Sequence, residues 1–398
     1  MPEPIPFPAD AASSATRRFA AIDALRGLGA VAIASYHIHR YGPVPRAADA
    51  MLPDFVQTLV DHGWLAVPMF LVVAGFVASY TLRNERLNLA AVANFALRRC
   101  LRLGTPYWIV LLLVLAMSFP AIWWPNDTSL TEPISWRQFL SCVFFLQDIL
   151  GYGNVSAGMW FVCIDMQFGL LLVTLLWLGQ GLRCGGAKGG TVDVVVLSAI
   201  FAPLALLSVF VFGLADKNDM WIHYFFYMPF LGMLAWWALE GRTPGWLFWT
   251  YVVLLVCGLV QRWCREYAAS LADPAALGDL LATELPDEVE KLAVAILSGV
   301  AIHALGRAGH LGDWFRAGPL QYLGKISYSL FLIHYPVSWA VTTLGHRLTG
   351  DHPVAAVGWL LLAFLASVGA AHLLYRFVEA PSLRLVQRVK SRHKSVPA

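Results

Sequence analysis

Charged residues are scarce in this chain. Asp, Glu, Lys and Arg make up 13% of the 398 residues, whereas charged residues make up about a quarter of an ordinary soluble domain. Hydrophobic residues account for 58%, and the mean hydropathy is +0.62. This composition excludes an ordinary soluble globular fold and predicts a polytopic protein embedded in a lipid bilayer. The net charge is only +3, and we expect no nucleic-acid partner.

Cysteine is also rare and follows no metal-binding pattern. Six cysteines are present, most of them in or beside apolar runs: Cys100, Cys142, Cys163, Cys184, Cys257 and Cys264. Their expected role is the packing of small apolar groups. We predict neither a disulfide framework nor a metal site. No repeat with a period of about 20–50 residues is visible either, so a repeat architecture is not expected.

Long apolar segments recur along the chain. A membrane-spanning helix needs about 20 consecutive apolar residues. Ten segments fit this template: 20–38, 63–82, 104–123, 159–179, 191–213, 221–239, 246–263, 290–306, 320–344 and 354–377. We therefore expect an all-α membrane protein, a polytopic bundle of about ten transmembrane helices.

Lysine and arginine are distributed unevenly between these segments. With the N-terminus placed in the cytoplasm, nineteen fall in inner connections and eight in outer ones, and Arg26 lies inside a span. Because positive residues favour the cytoplasmic side, both termini are predicted to be cytoplasmic. We expect a disordered cytoplasmic lead over 1–16, without a cleaved signal peptide. After this lead we expect an integral membrane domain over 17–383. A basic cytoplasmic tail over 384–398, also disordered, is expected to follow it.

Two predicted outer connections have a distinctive composition. The longest one, 264–290, carries seven acidic residues, and it is either a solvated cap or a selectivity rim for an incoming acceptor. The other connection contains Ser135, which is followed by apolar and polar residues in mixed order over 136–140. That pattern predicts an amphipathic helix that lies at the membrane interface and begins after the serine.

The first apolar segment contains ionisable residues at a depth where they are costly. His37 follows Arg26 by eleven positions, which returns to within about 20° of the same helix face, roughly 16 Å further along. The two side chains share a face without touching, so they serve a long ligand or a cavity beside the helix. Asp23 lies one turn before Arg26, where pairing lowers the cost of burying the guanidinium.

Four stretches, in this order, carry a family resemblance. They are Ile22-Asp23-Ala24-Leu25-Arg26-Gly27 with the following His37, Val67 to Phe76, Arg98 to Tyr107, and Tyr322 to Pro336. Together they resemble the acyltransferase-3 family, the bacterial integral membrane acyltransferases that modify surface and exported sugars. A further block, Gly158 to Phe168, resembles the tryptophan block of that family. The resemblance extends from Ile22 to about Pro381.

The resemblance implies an enzyme that moves an acyl group, commonly acetyl from cytoplasmic acetyl-CoA, to a hydroxyl of a polysaccharide, oligosaccharide or glycolipid. Acyl-CoA and this acceptor are then the partners, no cofactor is bound, and the location is the bacterial inner membrane. Two rival classes are a transporter or flippase and a non-catalytic biosynthesis partner of the same fold. Transporters usually have repeated halves with broken spans, which are not visible here. Loss of Arg26 or His37 would mark a non-catalytic partner, and both residues are present.

By position, Arg26 and His37 match the essential arginine–histidine pair of the family. His37 is either a general base for the sugar hydroxyl or a nucleophile that carries the acyl group. Arg26, supported by Asp23, would orient the donor or stabilise charge on the thioester oxygen. Sequence alone does not separate these roles.

Arg99 and Arg102 match the arginine–two residues–arginine motif of the family. With Arg98 beside them, their planar guanidinium groups suit the phosphates of coenzyme A, and we expect them at the cytoplasmic mouth. The alternative is that all three only mark the inner end of a span.

Two further groups are candidates for binding the acceptor or supporting the site. In the tryptophan block, Trp160 precedes Asp165, which stands where Glu is more usual, and Gln167. Asp165 would orient His37, bind the acceptor, or simply lie at the water interface.

The fourth block contributes Ser327, Tyr328 and His334. Ser327 and His334 are seven residues apart and share a helix face, so they either support the site or pack helices together. Ala74 stands where the family often has serine, so no role of that serine transfers to this chain.

Overall fold

The protein is built from helices. The computed structural model describes residues 19–394 apart from 43, 84, 86, 119–133, 182–199, 215–220 and 272–285. Every regular element within these ranges is helical, in agreement with the all-α class. The predicted lead over 1–16 lies outside the described residues.

The described α-helices follow one another along the chain and are joined by short connections. In order, they are α1 (Ala20–Arg40), α2 (Pro45–Asp49), α3 (Asp54–Asp61), α4 (Ala66–Leu82), α5 (Leu89–Met117), α6 (Trp136–Val143), α7 (Met159–Gly181), α8 (Ala202–Phe210), α9 (Ile222–Phe225), α10 (Tyr227–Leu239), α11 (Gly245–Ser270), α12 (Asp287–Arg307), α13 (Gly318–Thr349), α14 (Pro353–Leu374) and α15 (Ala380–Lys394). A π-helical turn, Tyr375–Glu379, joins α14 to α15.

Several of these helices have the length and composition to cross a membrane. In the described part of the chain there are six such stretches: Asp54–Leu82, Leu89–Met117, Met159–Gly179, Gly245–Ser270, Asp287–Arg307 and Pro353–Val389. Helix α10 is apolar but shorter. The structure therefore contains helices long and apolar enough to cross a membrane, whereas the number ten and the side on which the termini lie remain predictions.

Helix α5 begins much earlier than the sequence pattern indicated. It starts at Leu89 rather than near 104, and its N-cap Asn88 accepts a hydrogen bond from the backbone N–H of Ala91 at 2.7 Å. The arginines expected in a connection at the membrane surface therefore lie within a continuous helix. The predicted start of the helix was wrong because these arginines lower the local hydropathy. A polar stretch that faces a cavity then has the same hydropathy as a connection.

The amphipathic helix predicted after Ser135 is present as α6. The Ser135 side chain caps it by accepting a hydrogen bond from the Gln138 N–H at 3.2 Å. The segment predicted as a basic tail is helical up to Lys394 as part of α15. Apolar residues of α15 pack against the membrane domain, which supplies the tertiary contacts that stabilise a short helix.

Two pairs of helices run parallel and in close contact. Helices α1 and α13 approach at Gly27 and Gly324, where an added side chain at either position would overlap the partner backbone. Helices α4 and α10 do the same at Gly75 and Gly232. Small residues allow membrane helices to approach this closely. The register of α1 against α13 brings His37 beside His334 and so determines the geometry of the site.

The buried residues form two large apolar clusters. One centres on α4, α10 and α12, with Phe76 and Trp237 among its members. The other joins α1, α5, α7 and α13 around Tyr107 and Leu330. Phe70 packs against both clusters. The cavity described next is lined partly by Phe70 and lies where the two clusters meet.

Candidate active site

A cavity of about 380 Å³ opens between α1, α4, α5, α7, α13 and the C-terminal segment. We refer to it as the arginine cavity because four arginines line it. Its charged and polar lining consists of Arg26, Arg98, Arg99, Arg102, Asp165, Ser327, Tyr328, Glu379, Thr81 and Gln387. Aromatic and aliphatic side chains form the rest of the wall. The volume is within the usual range for a small-molecule site, about 300–1,000 Å³.

The charge of this lining is unbalanced. Four arginines face two carboxylates, Asp165 and Glu379, which leaves two positive charges in excess. Asp23 lies outside the lining and reaches Arg26 at 4.0 Å, so the excess stays positive when it is included. Charge in a membrane domain is expensive unless it is paired. The cavity is therefore suited to an anionic ligand.

Arg99 is the most firmly held of the four arginines. Its Nη2 group donates to the Asp165 carboxylate and to the Asp165 carbonyl oxygen, both at 2.7 Å. Gly169 leaves room for the guanidinium, because a Cβ atom there would overlap it. The Nε atom is buried and has no hydrogen-bond partner among the described residues. The side chain is therefore held in place while its Nε donor is unused.

Arg98 and Arg102 are less constrained than Arg99. Both line the cavity, and neither makes a hydrogen bond or ion pair with a residue that the structure describes. Tyr328 holds the wall between α5 and α13 by donating from its hydroxyl to the Leu103 carbonyl at 2.7 Å. The two guanidinium groups are thus free to bind a ligand in a cavity of fixed shape.

Glu379 was not identified from the sequence. It ends the π-helical turn, is 7% exposed, and accepts a hydrogen bond from the Ser329 hydroxyl at 2.6 Å. Single π-turns often occur at functional sites because they redirect side chains. The available signal was an acidic residue at the end of the last apolar segment, but only the turn brings it into the cavity with Arg26 and Arg102.

His37 and His334 form a second buried centre, the histidine pair. Nδ1 of His37 lies 2.7 Å from Nε2 of His334, and the ring planes are within 6° of parallel. Nδ1 of His334 lies 3.0 Å from the Leu330 carbonyl oxygen. His37 is 7% exposed and His334 is fully buried. The sequence places both residues among the candidates but does not predict their contact.

Tyrosine rings surround the exposed side of the histidine pair. The ring centroids of Tyr36, Tyr41 and Tyr335 lie 5.2, 5.5 and 6.4 Å from that of His37. Tyr41 is 43% exposed. Aromatic rings with hydroxyl groups offer both flat apolar faces and hydrogen bonds. This arrangement suits a ring-shaped ligand that carries hydroxyl groups.

Three phenylalanines of the arginine cavity form a cluster that reaches the histidine pair through Phe331. Phe70, Phe161 and Phe331 form this phenylalanine cluster, with centroids 5.2–5.9 Å apart. All three line the cavity. The ring of Phe331 also lies 6.3 Å from the ring of His334. The two centres are therefore next to each other, and the ring of Phe331 borders both.

The other candidate residues take different positions. Asp165 bonds Arg99 and not His37, because its side chain lies on the face of α7 that packs against α5. Trp160 packs against Phe161 without lining the cavity. Gln167 accepts a hydrogen bond from the Ile222 N–H at 3.1 Å and helps to hold the start of α9. Of the three candidate residues in the tryptophan block, only Asp165 lines the cavity.

Ser327 and His334 serve different centres although they share α13. Ser327 lines the arginine cavity and donates to the Gly324 carbonyl at 2.9 Å. His334 lies two turns further and contacts His37. Residues of one helix face thus line successive parts of one path.

The comparison with protein families gives one match. The model of the acyltransferase-3 family, described as an acyltransferase domain, matches residues 19–376. No curated protein and no solved structure matches the chain. The family match confirms the resemblance seen in the motifs and covers both centres except Glu379 and the α15 residues of the cavity wall.

Proposed function

The chain belongs to the acyltransferase-3 family, and we propose that it transfers an acyl group, in the first instance acetyl, from acyl-CoA to a saccharide hydroxyl. The acceptor class is a polysaccharide, oligosaccharide or glycolipid. The location that we propose is a bacterial inner membrane. The observation that carries the proposal is the pairing of a cationic cavity with a buried histidine pair, both bordered by the ring of Phe331.

The arginine cavity is the proposed donor site. Coenzyme A carries phosphates at one end and its thioester at the end of a long arm. Guanidinium groups bind phosphate oxygens through paired N–H donors, and Arg98, Arg102 and the Nε atom of Arg99 have such donors unused. The apolar part of the wall suits the arm. The cavity encloses part of the donor, and its phosphates provide the missing negative charge.

Helix α15 contributes to this donor site. Its residues Leu383, Val386 and Gln387 line the same cavity as the arginines, although they lie beyond the end of the family match. The C-terminal segment is therefore part of the proposed donor wall rather than a dispensable tail.

The tyrosine-lined side of His37 is the proposed acceptor site. Neutral imidazole takes a proton from an attacking hydroxyl as a general base, or receives the acyl group as a nucleophile. Both routes require the thioester to reach His37, and the ring of Phe331 borders both the cavity and the histidine pair. We infer that the acyl end of the donor displaces the ring of Phe331 or passes beside it.

We propose ten spans with both termini on the cytoplasmic side, and the packing directions of the described helices fit this topology. In an alternating bundle that begins inside, α1 and α13 both run outward, and α4 and α10 both run inward. The contacts of Gly27 with Gly324 and of His37 with His334 fit a parallel α1–α13 pair. Those of Gly75 with Pro229 and of Tyr80 with Trp236 fit a parallel α4–α10 pair. Tyr322 bonds His372 near one end of α13 and α14, and Gly345 packs on Trp359 near the other, as an antiparallel pair requires. In the proposed topology, the arginine cavity lies nearer the cytoplasm and Tyr41 lies nearer the outer face.

The test uses purified full-length protein in lipid nanodiscs with radiolabelled acetyl-CoA and a saccharide fraction from bacterial membranes. Label in the saccharide that alkaline hydrolysis releases as acetate is the expected result, because an O-acetyl ester is base-labile. Dephospho-CoA, which lacks one phosphate, should bind more weakly than CoA. In proteoliposomes, movement of unmodified saccharide without label transfer would instead support a transporter and overturn the proposal.

A further inference from the structure

The hydrogen bonds of the histidine pair fix where its protons lie. A carbonyl oxygen only accepts hydrogen bonds, so Nδ1 of His334, 3.0 Å from the Leu330 oxygen, must carry hydrogen. Neither ring has a carboxylate within ion-pair distance among the described residues, so nothing in the surroundings supports a buried charge. Neutral His334 therefore presents the lone pair of Nε2 to His37.

The proton arrangement of His37 follows from that of His334. Its Nδ1, 2.7 Å from the lone pair of His334, must be the donor of that hydrogen bond. A neutral imidazole carries one N–H only, so the Nε2 atom of His37 holds a lone pair. This Nε2 atom makes no hydrogen bond with any residue that the structure describes. It is the atom that is available for chemistry.

We propose that His334 is a positioning residue that holds His37 in the Nδ1–H form and so directs the Nε2 lone pair of His37 at the acceptor hydroxyl. This inference rests on the proposed function. It assigns to a neutral histidine the part that a carboxylate plays in serine-protease triads, where the third residue fixes the tautomer and orientation of the base. His334 touches neither the donor nor the acceptor in this role.

The proton movements are balanced when His37 acts as a base. The acceptor O–H bond breaks as its oxygen bonds to the thioester carbon, and the proton moves to Nε2 of His37. The carbon–sulfur bond then breaks, and the coenzyme A thiolate takes that proton. While His37 carries protons on both ring nitrogens, its Nδ1–H group donates a stronger hydrogen bond to His334, because a hydrogen bond from an ionised donor is stronger.

The rigidity of the helix pair makes this positioning effective. Helices α1 and α13 approach closely at Gly27 and Gly324, ten residues before each histidine. Parallel packing fixes their register, so the two rings keep the same neighbour along the helices. A neutral pair without a carboxylate also costs less free energy to bury in a membrane, where an unpaired charge is strongly disfavoured.

The test compares His334→Leu, His334→Gln and the control His303→Leu in the full-length protein in nanodiscs. Leucine removes the acceptor for His37, whereas the glutamine amide oxygen keeps one. We expect kcat to fall about 100-fold or more in His334→Leu and less than about tenfold in His334→Gln, with KM for acyl-CoA unchanged in both. His303 is a buried histidine of α12 away from both centres, and its leucine variant should retain parental kcat.

A spectroscopic measurement separates positioning from a merely structural role. Solid-state NMR of the ¹⁵N-histidine-labelled protein in lipid, with His37→Gln used to assign the signals, should show Nδ1 of His37 protonated and Nε2 bare. The His334→Leu variant should lose that preference. Parental kcat in His334→Leu, or a protonated Nε2 in the parent, would overturn the inference. Absence of acyl transfer in the parent would instead defeat the proposed function, and the NMR result would still decide the tautomer.

Discussion

The arginine cavity and the histidine pair lie along the same two helices but differ in charge and in enclosure. Helix α1 supplies Arg26 to the first and His37 to the second, roughly 16 Å further along its axis. The cavity carries excess positive charge, so it suits an anionic ligand. The histidine pair is tightly enclosed and neutral, so it needs only a defined proton arrangement. This difference indicates that binding and proton transfer are separated along one path.

The largest effect should come from removing the base. His37→Ala is expected to lower acyl transfer at least 100-fold, because general acid–base groups contribute about 10²–10⁴-fold. Binding of CoA, measured by isothermal titration calorimetry, should stay at the parental value because His37 does not line the cavity. Weakened CoA binding together with lost transfer would show that the two regions are not separate.

Substitutions in the arginine cavity should weaken donor binding, which the His37 variant should leave unchanged. Arg99→Lys and Arg102→Lys keep the charge but lose the planar fork, so we expect the Kd for acyl-CoA to rise about tenfold. Arg316→Lys is the matched control, since Arg316 pairs with Asp313 and its side chain is 66% exposed. Parental affinity in both cavity variants would contradict the donor site.

The wall formed by α15 gives a further test of the cavity. Val386→Trp places a larger side chain in the wall, and KM for acyl-CoA should rise several-fold to about tenfold while KM for the acceptor stays constant. The control is Leu385→Trp, because Leu385 is 47% exposed on the same helix and does not line the cavity. Equal kinetics in the two variants would remove α15 from the donor site.

The smallest effect is expected at the acceptor side. Tyr41→Ala should raise KM for the acceptor about two- to tenfold, since an aromatic contact contributes about 0.5–1.5 kcal/mol. The Kd for acyl-CoA should not change. Tyr267, 40% exposed on α11, provides the comparison, and Tyr267→Ala should behave like the parent. A change in acyl-CoA binding by Tyr41→Ala would place the tyrosines at the donor instead.

Sequence patterns identified the parts of each region better than their arrangement. Hydropathy predicted α7 almost to the residue, because its span is apolar apart from Asp165 and Gln167. It misplaced the start of α5, because arginines that face a cavity have the same composition as a connection. Motif spacing gave Arg26, His37 and the arginine motif, but it offered no reason to join Asp165 to Arg99.

What the sequence determined by itself was the kind of molecule: scarce charge and long apolar segments require a membrane protein, and ordered motifs specify the family. Tertiary structure alone decided which residues meet. His37 and His334 are 297 positions apart, and Glu379 reaches the cavity only through a π-helical turn. Helical periodicity gives the face on which a residue lies, but not the neighbour of that face. The neighbour is decided by close packing at small residues such as Gly27 and Gly324.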